Sequence, residues 1–286
     1  MSTHTPVHVS AAPAGPAPVR TAVGTAPAGP APRPAGPRIQ SRQTILRSVR
    51  AEWIKFWSLR STWITSFIAI ALTVLFGAGL TAALGQSEQY QDTAKDLITQ
   101  GLAFGQIVVA VLGALIITGE YSSGQIRSSL AAVPKRGRLL MAKAVVLAIV
   151  SFLLGSLSVF LSWAISKPFI GEHAGSLTDS HYAGYIWGSG LVFAVIALMA
   201  LGLGFLLRST AGTITVIVSL LFVITAPLQL AASKWDWVYK IIGCLPSTVS
   251  EAVSDPFQRT TEWGGQGAQF LTHGQAIAVF AAWALI

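Results

Sequence analysis

The sequence predicts an all-α polytopic membrane protein with six transmembrane helices, the sixth truncated at Ile286, preceded by an amphipathic helix in the membrane interface. Three observations carry that expectation. Hydrophobic residues make up 52% of the chain and charged residues only 10%, with a mean hydropathy of +0.61, whereas a soluble domain carries about a quarter charged residues. Apolar runs near the ~20 residues that cross a bilayer recur along the chain. Lys and Arg flank those runs instead of gathering on one polar face, so the net charge of +8 points to membrane surfaces and away from nucleic acid.

Taken in order, residues 1–40 form an Ala-, Pro- and Gly-rich leader whose basic residues are Arg20, Arg33 and Arg38 and which holds no acids. Such a composition buries too little apolar surface to offset its ordering entropy, and disorder is expected. No apolar core of secretory-signal type interrupts it. The interfacial helix follows over 42–60. On a helical wheel Ile45, Leu46, Val49, Trp53, Phe56 and Trp57 share one face, with Arg47, Ser48, Ala51, Lys55 and Ser58 opposite and Arg50 and Glu52 at the borders. Tryptophans such as Trp53 and Trp57 on the apolar face, with bases such as Lys55 on the other, describe a helix lying in the headgroup region.

The transmembrane permease domain occupies 41–286, with spans expected at about 63–84, 103–121, 139–165, 186–207, 211–231 and 274–286. Thirteen residues rise only about 20 Å, so the last span is read as incomplete. Small residues predict where the helices touch, because lipid offers no hydrophobic drive and close backbone approach decides association. Ser66, Thr73, Gly77 and Thr81 align on the first span, and Ser151, Gly155, Ser158 and Ser162 on the third. No span carries a charge near its middle, which weighs against a proton- or sodium-driven carrier.

Topology follows from the basic residues. The leader with the interfacial helix and the second and fourth connections hold fourteen of the nineteen Lys and Arg, whereas nine of the eleven acids lie on the other side. The N-terminus and the second connection are therefore expected in the cytoplasm, and the 232–273 connection outside, in a multi-pass plasma-membrane protein. In that outer segment Trp235, Trp237, Tyr239, Ile241 and Ile242 predict a short helix at the interface, broken by Pro246 and Pro256. It reads equally as an interfacial anchor or as a re-entrant hairpin capping a pathway.

Several chemistries are absent from the sequence. Cys244 is the single cysteine, the histidines lack the HExxH arrangement, and no catalytic or metal-ligating cluster is found. No Gly-Lys dipeptide occurs, so a phosphate-binding loop of the GxxxxGK type is missing and any ATP is bound by another chain.

Three phrases resemble the permease subunits of ATP-binding-cassette exporters of the type-2 permease family: RAEWIKFWSLRSTW (Arg50–Trp63), EYSSGQIRSSLAAVPKRGRLLMAK (Glu120–Lys143) and CLPST (Cys244–Thr248). The likeness runs from about Arg42 to the end. It implies a six-span half that pairs with a second permease half, identical or paralogous, and with two copies of a separate ATPase holding ATP and Mg. It also implies that the connection after span 2 is a coupling helix docking on that ATPase, and that hairpin helices between spans 5 and 6 cap the exit.

The residues of that connection suit docking. The span is expected to turn at Gly119, Ser122 or Ser123 to cap a short helix reaching Val133, and Pro134 to stop it. Glu120, Gly124 and Arg127 are the candidate docking residues: Gly124 permits close approach of a partner backbone, and Arg127 pairs either with Glu120 or with an acidic patch on the ATPase. Lys135, Arg136 and Arg138 form a flank at the membrane surface, attracting anionic headgroups at ~1 kcal/mol each. The function implied is the membrane-spanning subunit of an ATP-driven exporter moving a hydrophobic or amphipathic compound, such as a drug, antibiotic, peptide or lipid. The alternative is a carrier or channel that needs no ATPase.

Overall fold

A computed structural model of the chain describes residues 15, 44–85, 87, 94–133, 135–178, 180–254 and 271–285. The chain divides after Arg42. The expected disordered leader lies outside the described residues apart from Gly15, and so does Pro256. Everything regular among the described residues is helical.

Among the described residues, five helices are long and apolar enough to cross a membrane. The first is α2 (Arg60–Leu84), which follows the short α1 (Ile45–Ser58) across an extended Leu59. Next, α3 (Ala94–Gln100) runs into α4 (Leu102–Ser122) through a helical Gly101. After α5 (Ile126–Ala132) comes α6 (Arg136–Ile170), whose 35 residues extend about 50 Å. The fourth span is α7 (Ser180–Leu207); the fifth is α8 (Thr210–Val218), a π turn over Ser219–Val223, and α9 (Thr225–Ala232). The helices of spans 3 and 4 run longer than their apolar runs, α6 at both ends and α7 at its start. Span 5 departs from the expected regular helix at its π turn.

Packing follows the small residues. A Cβ on Gly101 would lie 1.9 Å from the Thr73 carbonyl oxygen, and one on Gly105 2.1 Å from Thr73 Oγ1, so α2 and α4 touch backbone to backbone there. On α6, Ser151, Gly155, Ser158 and Ser162 are all buried, and a Cβ on Gly155 would meet the Ser189 carbonyl at 2.4 Å. The hydroxyls of Ser158, Ser162 and Ser166 donate to the carbonyls four residues back at 2.6, 3.0 and 2.7 Å, which hides their polarity inside the helix. The most buried spans are α4 and α7, and the least buried is α8–α9.

The opposite end of the bundle from α1 and α5 carries two short helices, α10 (Trp237–Gly243) and α11 (Pro246–Ser254). The short helix expected there, α10, ends at Gly243 ahead of Pro246, which is the first residue of α11, where a missing N–H breaks no helical bond. Pro246 is buried, and Trp235 and Trp237 are exposed. Gln106 Nε2 of α4 donates to Ser250 Oγ at 3.5 Å. The final helix, α12 (His273–Trp283), is closed at its start by a Thr272–Gln275 capping box. Its eleven residues are too few to cross a bilayer. Trp283 Nε1 donates to the Cys244 carbonyl at 2.9 Å, tying α12 to the α10–α11 turn.

Candidate functional site

At the end of the bundle carrying α1 and α5, four charged side chains from three helices meet. Glu120 sits in the last turns of α4 and is 3% exposed; Lys143, two turns into α6, is 1% exposed. Lys143 Nζ donates to Glu120 Oε1 at 2.5 Å and to Glu52 Oε2 of α1 at 2.8 Å. Lys55 Nζ, also from α1 and 31% exposed, donates to the same Glu120 Oε1. Two cations and two anions thus balance, which is the condition for holding charge out of water. Glu120 Oε2 is buried and has no hydrogen-bond partner among the described residues.

At this cluster the polar side of α1, expected to meet headgroups, turns into the bundle, and most of its apolar side stays exposed. Ser48 and Phe56 are its buried residues, Glu52 and Lys55 turn toward α4 and α6, and Ile45, Leu46, Trp53, Ile54 and Trp57 are exposed. A stripe at 48, 52 and 55–56 recurs at helical spacing, and its ion pairs outweigh the apolar face in setting which side meets the bundle. Lys55 is therefore an ion-pair partner and not a free headgroup contact. Trp53, Trp57 and Trp63 form a run of aromatic contacts with centroids 5.6 and 4.7 Å apart, and Trp63 Nε1 donates to the Trp57 carbonyl at 3.1 Å.

The second connection is also rearranged. Helix α4 continues through Gly119 to Ser122, so Glu120 belongs to the span and not to the docking helix. Ser122 and Ser123 donate back to the Gly119 carbonyl at 3.1 and 2.7 Å, so they finish α4 and do not start α5. The turn falls at Gly124, whose φ of +73° is left-handed and suits a residue without Cβ. Helix α5 then carries Arg127 exposed, with no residue buried. Of the two roles open to Arg127, pairing with Glu120 is excluded: Glu120 takes Lys55 and Lys143 instead. Lys135 and Arg136 are exposed and Arg138 is half-buried.

A second joint lies beside the first. The α7–α8 turn places Arg208 at φ +53°, with its guanidinium 5.6 Å from the centroid of the Tyr121 ring. Thr210 Oγ1 donates to Thr118 Oγ1 at 2.7 Å. Residues 118–121 of α4 therefore bond to α1, α6 and the start of span 5 at once.

Sequence reasoning missed Lys143 and Glu52 as a pair, counting the lysine among surface bases. The signal was present: Lys143 stands alone inside LLMAKAVVLA, where an unpaired ammonium is costly. The acids on its side are Glu52 and Glu120, and both are its partners.

Five spans of this length and apolarity among the described residues define a multi-pass membrane protein. The family described as ABC-2 family transporter protein matches residues 48–230, well over half of the chain, and the chain belongs to that family. No curated protein and no solved structure matches it. ABC-2 permeases generally work with an ABC ATPase.

Proposed function

We propose that the chain is the membrane-spanning subunit of an ATP-driven exporter. It moves a hydrophobic or amphipathic compound, such as a drug, antibiotic, peptide or lipid, across the plasma membrane. Hydrolysis takes place on two copies of a separate ATPase, where ATP and Mg are held, and a second permease half, identical or paralogous, completes the pathway. The end carrying α1 and α5 faces the cytoplasm. The observation that supports this most is the buried cluster of Glu52, Lys55, Glu120 and Lys143, which ties α1 to two spans beside the unburied helix α5.

A force applied at α5 and α1 by closing ATPases reaches α4 through the Gly124 turn and α6 through Lys143. The joint at Thr118 and Tyr121 passes it to span 5. The α10–α11 hairpin, seated on α7 and bonded to Gln106, serves as the outer cap that such a movement opens. The test is reconstitution: the candidate ATPase should co-purify with this chain, hydrolyse faster on association, and drive substrate uptake into inverted vesicles. Uptake by the chain alone, with no ATPase, would identify an independent carrier instead.

A further inference from the structure

The two halves of span 5 belong to different packed clusters. Ile217 of α8 and Leu221 of the π turn lie in the main apolar core, with Val249, Ala252 and Val253 of α11. No residue of α9 belongs to that core. Its Leu228, Ala231 and Ala232 pack instead with Val238, Tyr239 and Ile242 of α10 in a second, smaller cluster. Along the chain, core membership therefore changes twice, between Leu221 and Leu228 and again between Ile242 and Val249.

Both changes fall at weak points of the backbone. The π turn over Ser219–Val223 sits at the middle of the span, where Ile224 N–H donates to the Ser219 carbonyl, five residues back, at 2.9 Å. Pro227 follows and has no N–H to give. The next amide, Leu228, donates to the Ile224 carbonyl at 3.3 Å. Only the amides of Thr225 and Ala226 are left to serve the four carbonyls of residues 220–223, so the helical ladder is short of donors there. Side chains brace it little: Phe222 and Val223 are 40% and 60% exposed, and Ala226 and Pro227 are exposed too. Thr225 Oγ1 lies 3.4 Å from Ser247 Oγ of α11, a long contact that parts at little cost. The second change falls at the turn of Cys244 and Leu245, between α10 and α11.

Beyond that turn α11 is held fast. A Cβ on Gly188 of α7 would lie 2.3 Å from the Val253 carbonyl, so those backbones touch. His273 Nδ1 of α12 lies 3.0 Å from the Ala252 carbonyl.

We propose that α9 and α10 form one rigid arm that swings between the π turn and the Cys244–Leu245 turn, while α11 stays with the bundle. The outer cap then opens by parting α10 from α11 and not by lifting the hairpin whole. Helices bend where the ladder is interrupted, and few buried contacts make local opening cheap. The arm needs only this chain; that its swing opens an exit rests on the export reading above.

The experiment is double electron–electron resonance on the full chain in lipid nanodiscs, without any ATPase, in a Cys244→Ser background. Spin labels on Lys240→Cys and Glu251→Cys report α10 against α11. Labels on Glu251→Cys and Ala278→Cys report α11 against α12 as the control, and all three sites are exposed. The first distance distribution should be about twice as wide as the second, as a hinge between them requires. Pro227→Ala returns an N–H to the ladder and should narrow the first distribution to the width of the control. Pro227→Leu restores the same N–H and serves if the alanine variant fails to fold. Equal widths in the parent, or a wide α10–α11 distribution that persists in a folded Pro227 variant, overturns the proposal. No ATPase or cargo takes part, so failure of the export reading would leave these distances as they are.

Discussion

Lys143 on α6 and Glu120 on α4 are joined at 2.5 Å with 1% and 3% of their side chains exposed, deeper than any other ion pair among the described residues. Taking such charges out of water costs several kcal/mol each, and only full pairing recovers it. Removing one partner is then much worse than removing both. Lys143→Met should destabilise the protein by about 3–5 kcal/mol, because Glu52 loses its partner and Glu120 keeps only Lys55. The double variant Lys143→Met with Glu120→Gln removes the two most buried charges together and leaves the more exposed Glu52 and Lys55 with no net charge, so it should recover part of the loss. Thermal unfolding in detergent reads both. A single variant as stable as the parent would show that the cluster holds nothing together.

Glycine positions make a prediction about packing that needs no knowledge of function. Gly101→Ala places a methyl 1.9 Å from the Thr73 carbonyl and Gly155→Ala one 2.4 Å from the Ser189 carbonyl. Backbone atoms cannot step aside, so the helices must part. Each substitution should cost about 1–3 kcal/mol as overpacking and lower the yield of folded protein. Gly79→Ala is the control, with nothing within 4 Å of the added methyl. It should leave stability unchanged or raise it by about 0.5–1 kcal/mol through helix propensity. Equal effects at all three positions would mean that α2, α4, α6 and α7 do not meet as described.

Much of this architecture was legible in the sequence, for identifiable physical reasons. Apolar runs locate spans because the bilayer demands about 20 residues, and the Ser and Gly stripe of α6 is buried because small residues let backbones approach. The orientation of α1 was not legible. Its helical wheel separates apolar from polar residues correctly, but the wheel assumes that the polar face seeks water or headgroups. Glu52 and Lys55 turn inward because Glu120 and Lys143, 91 residues from Glu52 at the farthest, wait for them. The only local trace of a pairing at that separation is Lys143 standing alone in LLMAKAVVLA, which does not say where α1 will turn. The end of span 2 near residue 121 is legible, and only the turn expected at Gly119 falls elsewhere, at Gly124.

Arg208 combines an unfavourable backbone with a favourable contact, and substitution separates the two. Its φ of +53° costs a residue with a Cβ about 1–2 kcal/mol, while the Tyr121 ring 5.6 Å from the guanidinium returns part of that. Arg208→Ala loses the ring contact and keeps the strain. Arg208→Gly loses the ring contact and relieves the strain, so the glycine variant should be the more stable by about 1 kcal/mol. Chemical unfolding compares them. An alanine variant equal to glycine would show that the turn relaxes out of the left-handed region once the arginine is gone.

Arg127 offers the cleanest separation of docking from folding. It lies on α5, which buries no residue, and no ion pair holds it among the described residues. Arg127→Glu should therefore leave the unfolding temperature and the amount of protein in the membrane unchanged. If α5 meets an acidic patch on the ATPase, reversal sets like charges against each other and should weaken association about tenfold, lowering hydrolysis coupled to transport in step. Lys55→Met should instead lower stability, since it leaves Glu120 with one cation where it now has two. Normal transport by Arg127→Glu would remove α5 from the docking surface. A loss of stability in that variant would mean that Arg127 supports the fold, and that its exposed position on α5 does not describe its role.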